Sequence, residues 1–293
     1  MKKVVRFGFP LISSALLLVA CDLSNGIKVA NMDNGNEEKN DSVEKVEEED
    51  ELQLFEETPL PKAADELFDD FFFNFVSNNK FQTSRVAFPL KVEQEGETSQ
   101  ITSAEWKDDD IFASQDFYTT IYERDDELEL KKDTSVNSVN VEWIHLNERT
   151  IDKYKFMRVD GQWMLTGMEK LSMDETPNGS FLDFYCRFST DSVFQRENIA
   201  EPLLFNMPVN EEIGDMGDDE MDEGGTEELT PDDWFELAKE MPLPKDVLVN
   251  IEYGQAYFSE NVKHLLVQGV SNGLFVKYTF KKYGEWQLVE IEN

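Results

Sequence analysis

Leu18-Val19-Ala20-Cys21 is the one stretch of this chain whose residue types and order name a reaction. Lys2, Lys3 and Arg6 precede an apolar run over residues 7–20, and small Ala20 stands directly before the thiol, which is the layout of a secretory leader and its cleavage site. A membrane-spanning helix needs about 20 apolar residues, so this shorter run, interrupted by Pro10, reads as a segment to be cut. Cleavage after Ala20 by a peptidase that acts on a diacylated thiol would leave acyl chains such as palmitate on Cys21. The reading predicts a lipid-anchored protein of a bacterial cell envelope, with the outer membrane as its expected site and Cys21 as the lipid attachment residue.

The other chemistry-bearing residues are more scattered. His145 shares an alternating face with Val141 and Trp143, and His264 opens the apolar run Leu265-Leu266-Val267; either could serve as a general base, yet lone histidines in such places are more commonly hydrogen-bonded packing residues. Asp183 is the best-placed helical carboxylate among aromatics, but Asp70 recurs at the equivalent place of an internal repeat, as the solvent face of a repeated helix would. Cys186 lies in an aromatic helical pattern without a neighbouring histidine and reads as a small buried hydrophobe. Two separated histidines among free carboxylates do not specify a zinc site. The acidic loop 211–228 holds ten acids and four glycines but lacks the ligand spacing of a calcium-binding EF-hand. Nucleophile elbows, phosphate-cradling loops and Gly-x-Gly-x-x-Gly are missing from the sequence, so no catalytic residue, cofactor or metal is assigned.

The acids also constrain partners. Sixty-two Asp and Glu face 27 Lys and Arg, for a formal charge of -35, and no basic patch exists for phosphate contacts, so nucleic acid is excluded as a partner. Electrostatics would repel an anionic membrane surface, which leaves lipid on Cys21 to hold the protein there. With Cys21 acylated, Cys186 has no intramolecular disulfide partner.

The elements that must position these residues follow from composition and period. Residues 1–20 are the signal peptide, and 21–58 form a polar, acidic tether expected to be disordered, with a reach of about 35 Å. Beyond it the chain repeats. Phe68, Phe71, Phe72, Phe75, Phe81, Gln82, Val86, Pro89 and Leu90 match Phe181, Phe184, Tyr185, Phe188, Phe194, Gln195, Ile199, Pro202 and Leu203 at a constant spacing of 113 residues. Gly161-Gln162-Trp163 with Leu165 matches Gly284-Glu285-Trp286 with Leu288 at a spacing of 123. Two domains are therefore predicted, 59–172 and 173–293, the second containing the acidic loop.

Within each copy the aromatic spacing of three and four predicts an amphipathic helix. Asn78 or Asn79, and Asp191 or Ser192, would cap a second, short helix carrying Phe-Gln, and Pro89 and Pro202 would stop it. Thr230-Pro231-Asp232-Asp233 reads as another helix start, with Trp234 and Leu237 inward. The period then changes to two over 117–122, 139–146, 153–159 and 163–168, and again over 247–253, 264–270, 274–281 and 286–291. Helices followed by an antiparallel meander define an α+β class.

An aromatic first helix, a Phe-Gln helix leading to Pro-Leu and a closing hairpin with Gly-x-Trp together resemble the nuclear-transport-factor-2-like family, in the tandem form found in lipoproteins of the Bacteroidota, a group largely of unknown function. The resemblance covers about residues 60–293. It implies two tandem cone-shaped domains, each with N-terminal helices packed on a curved antiparallel sheet, often with an apolar pocket at the open end. It implies no single activity, because the scaffold serves isomerases, dehydratases, adaptors and inert modules. The expected function is a lipid-anchored envelope protein whose cones bind a small apolar ligand or an envelope protein partner without catalysis. The alternatives are an isomerase or hydrolase using a pocket carboxylate in one copy, and a rigid structural spacer.

Overall fold

In the computed structural model the described residues are 65–107, 116–207, 225–241, 243–259, 261–270 and 272–293. Contacts divide the chain into Met1–Thr58 and Pro59–Asn293, and every described residue belongs to the second unit. Cys21, the tether and most of the acidic loop lie outside the described residues.

The element order runs through one series twice. The first pass comprises α1 (Phe68–Ser77), α2 (Asn79–Ser84), β1 (Val86–Gln94), β2 (Glu97–Ile101), β3 (Phe117–Tyr122), β4 (Ser138–His145), β5 (Thr150–Val159) and β6 (Gln162–Ser172). The second comprises α3 (Gly179–Thr190), α4 (Ser192–Glu197), β7 (Ile199–Asn206), β8 (Thr226–Leu229), α5 (Pro231–Leu237), β9 (Val247–Glu252), β10 (Val262–Gly269), β11 (Phe275–Tyr283) and β12 (Glu285–Glu292).

Both long helices exist because a ring stripe at helical spacing needs a surface to cover it. Phe68, Phe71, Phe72 and Phe75 of α1 all meet the ring of Phe156 at centroid distances of 5.2–5.8 Å. Phe181, Phe184, Tyr185 and Phe188 of α3 meet Phe280 at 5.3–6.3 Å. Contacts of this edge-on kind add to the area each ring buries. Trp163 and Trp286 close the two clusters against Phe68 and Phe181, and each indole carries a cation on its face, from Arg158 and Lys282 respectively.

The repeated glutamine has a structural task. Gln82 Nε2 donates to the Phe75 carbonyl near the end of α1, and Gln195 Nε2 donates to the Phe188 carbonyl of α3, occupying carbonyls that a helix end leaves unpaired. Of the alternative caps, Asn78 and Asp191 accept from the first turns of α2 and α4.

Pro89 and Pro202 do not end those helices. Both stand inside strands, in β1 and β7, each preceded by a cis peptide bond, and both ladders shift register there. A residue without an N–H cannot donate to a ladder, so proline is tolerated at a bulge. The strands β1, β2, β7 and β8 carry no clean alternation and were not anticipated by period.

The twelve strands form one sheet in the order β2-β1-β6-β5-β4-β9-β3-β10-β11-β12-β7-β8. The two passes exchange a strand: β9 pairs antiparallel with β4, and β3 pairs antiparallel with β10. A boundary between residues 172 and 173 therefore does not divide the sheet. Val249 and Ile251 of β9, with Tyr253 just beyond it, join the core beneath α1, while Ile121 of β3 joins the core beneath α3. Alternation along β4 serves both, with Val139, Val141 and Trp143 directed to the first core and Ile144 to the second.

Candidate functional site

Where the exchanged strands meet, the apolar interior gives way to buried charge. Lys153 on β5 lies 2.8 Å from Glu142 on β4 and 3.1 Å from Glu252 on β9. Asn250, fully buried on β9, donates to Glu142 at 2.9 Å while its side-chain oxygen accepts from the Ile121 amide of β3 at 2.8 Å. Asn140 donates to Glu252. Burial, reinforced by the charge of Glu252, raises the Glu142 carboxyl above the ordinary carboxylate range against the opposing pull of Lys153 and Asn250. Burial alone would depress Lys153, but the two glutamates hold its ammonium above the ordinary lysine value.

A second buried pair lies on β10 and at the end of β3. Lys263 Nζ donates to Glu123 at 2.6 Å and to the Asn178 side chain at 2.8 Å. The other Glu123 oxygen accepts from the Phe258 and Ser259 amides. Tyr257, whose ring lies under the Lys263 ammonium at 4.7 Å, donates its hydroxyl to the Ile121 carbonyl of β3, and burial lifts its phenol well above the ordinary tyrosine value. Glu127 stitches the same loops, accepting from the Glu123, Arg124 and Ala256 amides. An open groove of about 580 Å³ lies outside this network, lined by Glu123, Arg124, Ala256, Ser259 and Asn261. Phe258 lines it too, with 82% of its surface exposed.

The equivalent end of the first core is built differently. Asp69 on the first turn of α1 accepts from the buried Tyr253 hydroxyl, and burial raises the Asp69 carboxyl despite that bond. Burial also pushes neighbouring Tyr118 up to about 12. Asp65, the counterpart of Asn178 at the repeat spacing, accepts from the Arg85 guanidinium and the Trp163 amide.

A family model described as Domain of unknown function (DUF4348) matches residues 47–293. The chain belongs to this family. It is also similar to an NTF2-like protein from Bacteroides fragilis NCTC 9343 known from its crystal structure, with 36% sequence identity and a TM-score of 0.70 over 80% of this chain and 98% of that one. No functionally curated protein matches. Mixed α/β architecture with one large sheet and few helices is thus the family's fold in this chain.

Within this DUF4348 fold the residues singled out by sequence fall apart from one another. His145 Nε2 lies 3.2 Å from Asp152, each about a quarter exposed. His264 stacks on Tyr122 at 4.9 Å, with Nδ1 3.0 Å from the Thr279 hydroxyl, and burial lowers its pKa below the ordinary histidine value. Asp183 is exposed and paired with Arg149, which also holds Asp174; Asp70 is exposed as well. Cys186 is half-buried against the second core, its thiol 3.5 Å from the Leu146 carbonyl. Among the described residues no three His, Cys, Asp or Glu side chains are placed to hold an ion. Glu142, Lys153, Glu252, Asn250, Glu123 and Lys263 were missed by sequence reasoning. Their only signal was a charge or amide at an inward position of an otherwise apolar strand.

Proposed function

We propose that the protein is a lipid-anchored component of a bacterial cell envelope, held at the outer membrane by acyl chains on Cys21, and that its folded part is a pair of cone-shaped units that bind without catalysis. The bound species is a small apolar ligand or an envelope protein partner. The observation that supports the binding role is the open groove of about 580 Å³ with the exposed Phe258 ring on its wall, where Glu123 holds the Phe258 and Ser259 amides in place. The two aromatic cores, by contrast, are packed with rings.

The groove is tested with the neutral dye Nile red. Fluorescence gain on titration is expected for the wild type and for Tyr283→Ser, another exposed ring, and loss for Phe258→Ser; equal gain in all three would remove the groove from the function. For the anchor, metabolic labelling with a palmitate analogue is expected to mark the wild type and not Cys21→Ser.

The Asp69–Tyr253 pair is the arrangement nearest to a second reading, an isomerase or hydrolase with a pocket carboxylate in one copy, because such chemistry sets a raised carboxyl beside a tyrosine. Asp69 is nevertheless exposed on the first turn of α1 and lies outside the groove. Their mutual hydrogen bond, however, spends the donor that a substrate oxyanion would need.

A further inference from the structure

The strand order at the centre of the sheet has a rival of matching register. Observed is β4-β9-β3-β10; interchanging the two middle strands gives β4-β3-β9-β10, in which every strand neighbours its sequence successor, the commoner outcome in sheets. The two observed ladders have matching registers. His145 faces Val247 and Glu142 faces Asn250 across one ladder, and Gly269 faces Phe117 and Leu266 faces Thr120 across the other. Strand β3 could therefore replace β9 residue for residue, Phe117 for Val247 through Glu123 for Tyr253.

Apolar residues do little to choose between the two orders. Ile121 and Ile251 occupy equivalent places, and Thr119 and Val249 have nearly the same shape. The polar residues do choose. With β3 beside β4, Glu142 would face Thr120 and lose Asn250, and Lys153 would lose Glu252 to Tyr122. With β9 beside β10, Lys263 would face Tyr253 in place of Glu123. Glu123 would then occupy the place from which Tyr253 donates to Asp69, setting two carboxylates together. The Glu142–Lys153 pair on the β4–β5 ladder would survive with Asn250 and Glu252 taken away from it, whereas Lys263 would be buried without its carboxylate, the costlier loss.

We propose that Asn250 and Glu252 on β9 and Tyr253 just past its end, with Thr120 and Tyr122 on β3 and Glu123 just past its end, form a code that selects the interleaved order over the sequential one. Buried polar residues that fix register or partner choice at the expense of stability have this role in other assemblies.

Two cysteine pairs report the order in the full chain carrying Cys186→Ser. His145→Cys with Val247→Cys closes a disulfide in the interleaved order, and His145→Cys with Phe117→Cys closes one in the sequential order. After mild oxidation and peptide mass spectrometry, the first pair is expected to cross-link at least tenfold more than the second. Exchanging the code, by T120N, Y122E and E123Y on and just past β3 with N250T, E252Y and Y253E on and just past β9, keeps the composition and should reverse that ratio. Retention of the original ratio would overturn the proposal. Should the sixfold variant not fold, the milder pair Glu123→Gln and Lys263→Met provides the second reading. A several-fold fall in the 145–247 product with gain of the 117–145 product supports the code, and an unchanged product ratio refutes it.

Discussion

The two ends of the molecule's repeated interior solve one packing problem identically and another in opposite ways. Around Phe156 and Phe280 the same four helical rings converge at nearly the same distances. Where each helix begins, the first half closes with Asp69 and Tyr253, and the second with Asn178, Lys263 and Glu123. Ring packing depends on volume and tolerates only close substitutes, so it is repeated. Polar closure depends on a neighbour's charge, and the neighbour here arrives on a strand from the other half.

Cutting the shared part should affect both halves alike. Phe156→Ala and Phe280→Ala are each expected to cost about 3–5 kcal/mol in urea unfolding; a difference of more than ~2 kcal/mol would show that the two clusters are not equivalent. Cutting the differing part should separate them. Lys263→Met leaves Glu123 buried without its ammonium and should cost about 3–5 kcal/mol, whereas Tyr253→Phe removes one neutral donor and should cost about 1 kcal/mol. Equal losses would erase the contrast.

The smallest effect is in the pH profile. The Glu142 carboxyl is raised in the folded protein, so the native state holds that proton more tightly than the unfolded chain does. Its contribution to stability is present at low pH and is lost as pH rises from the unfolded value of 4.5 through the folded one. The urea midpoint of the wild type is expected to fall relative to that of Glu142→Gln as pH increases over this range. Parallel midpoints would show that Glu142 does not titrate differently in the fold.

Much of this architecture is legible in sequence because it is local. The ring stripe of α1, the caps Asn78 and Asp191, the Thr230 start of α5 and the alternation of β4 and β10 all follow from residues within a turn or a few positions of each other. Phe156 and Phe280 are masked by a one-residue difference in the hairpins that follow them: Asp160-Gly161 in the first, Gly284 alone in the second. With φ of 51° and 84°, Asp160 and Gly161 adopt the left-handed turn that a two-residue hairpin requires. Pro89 and Pro202 misled because the same missing N–H that ends a helix also suits a bulge. The central network was beyond reach for a different reason. Glu142 and Asn250 are 108 residues apart, and nothing near either one says that β9 will be laid between β4 and β3.

Interleaving also bears on truncation. Because β9 pairs with β4 and β3 with β10, a fragment that keeps only one pass of elements is stripped of a sheet member, and the rings that member covers are exposed to water. Neither pass is therefore expected to stand as a soluble piece without the other.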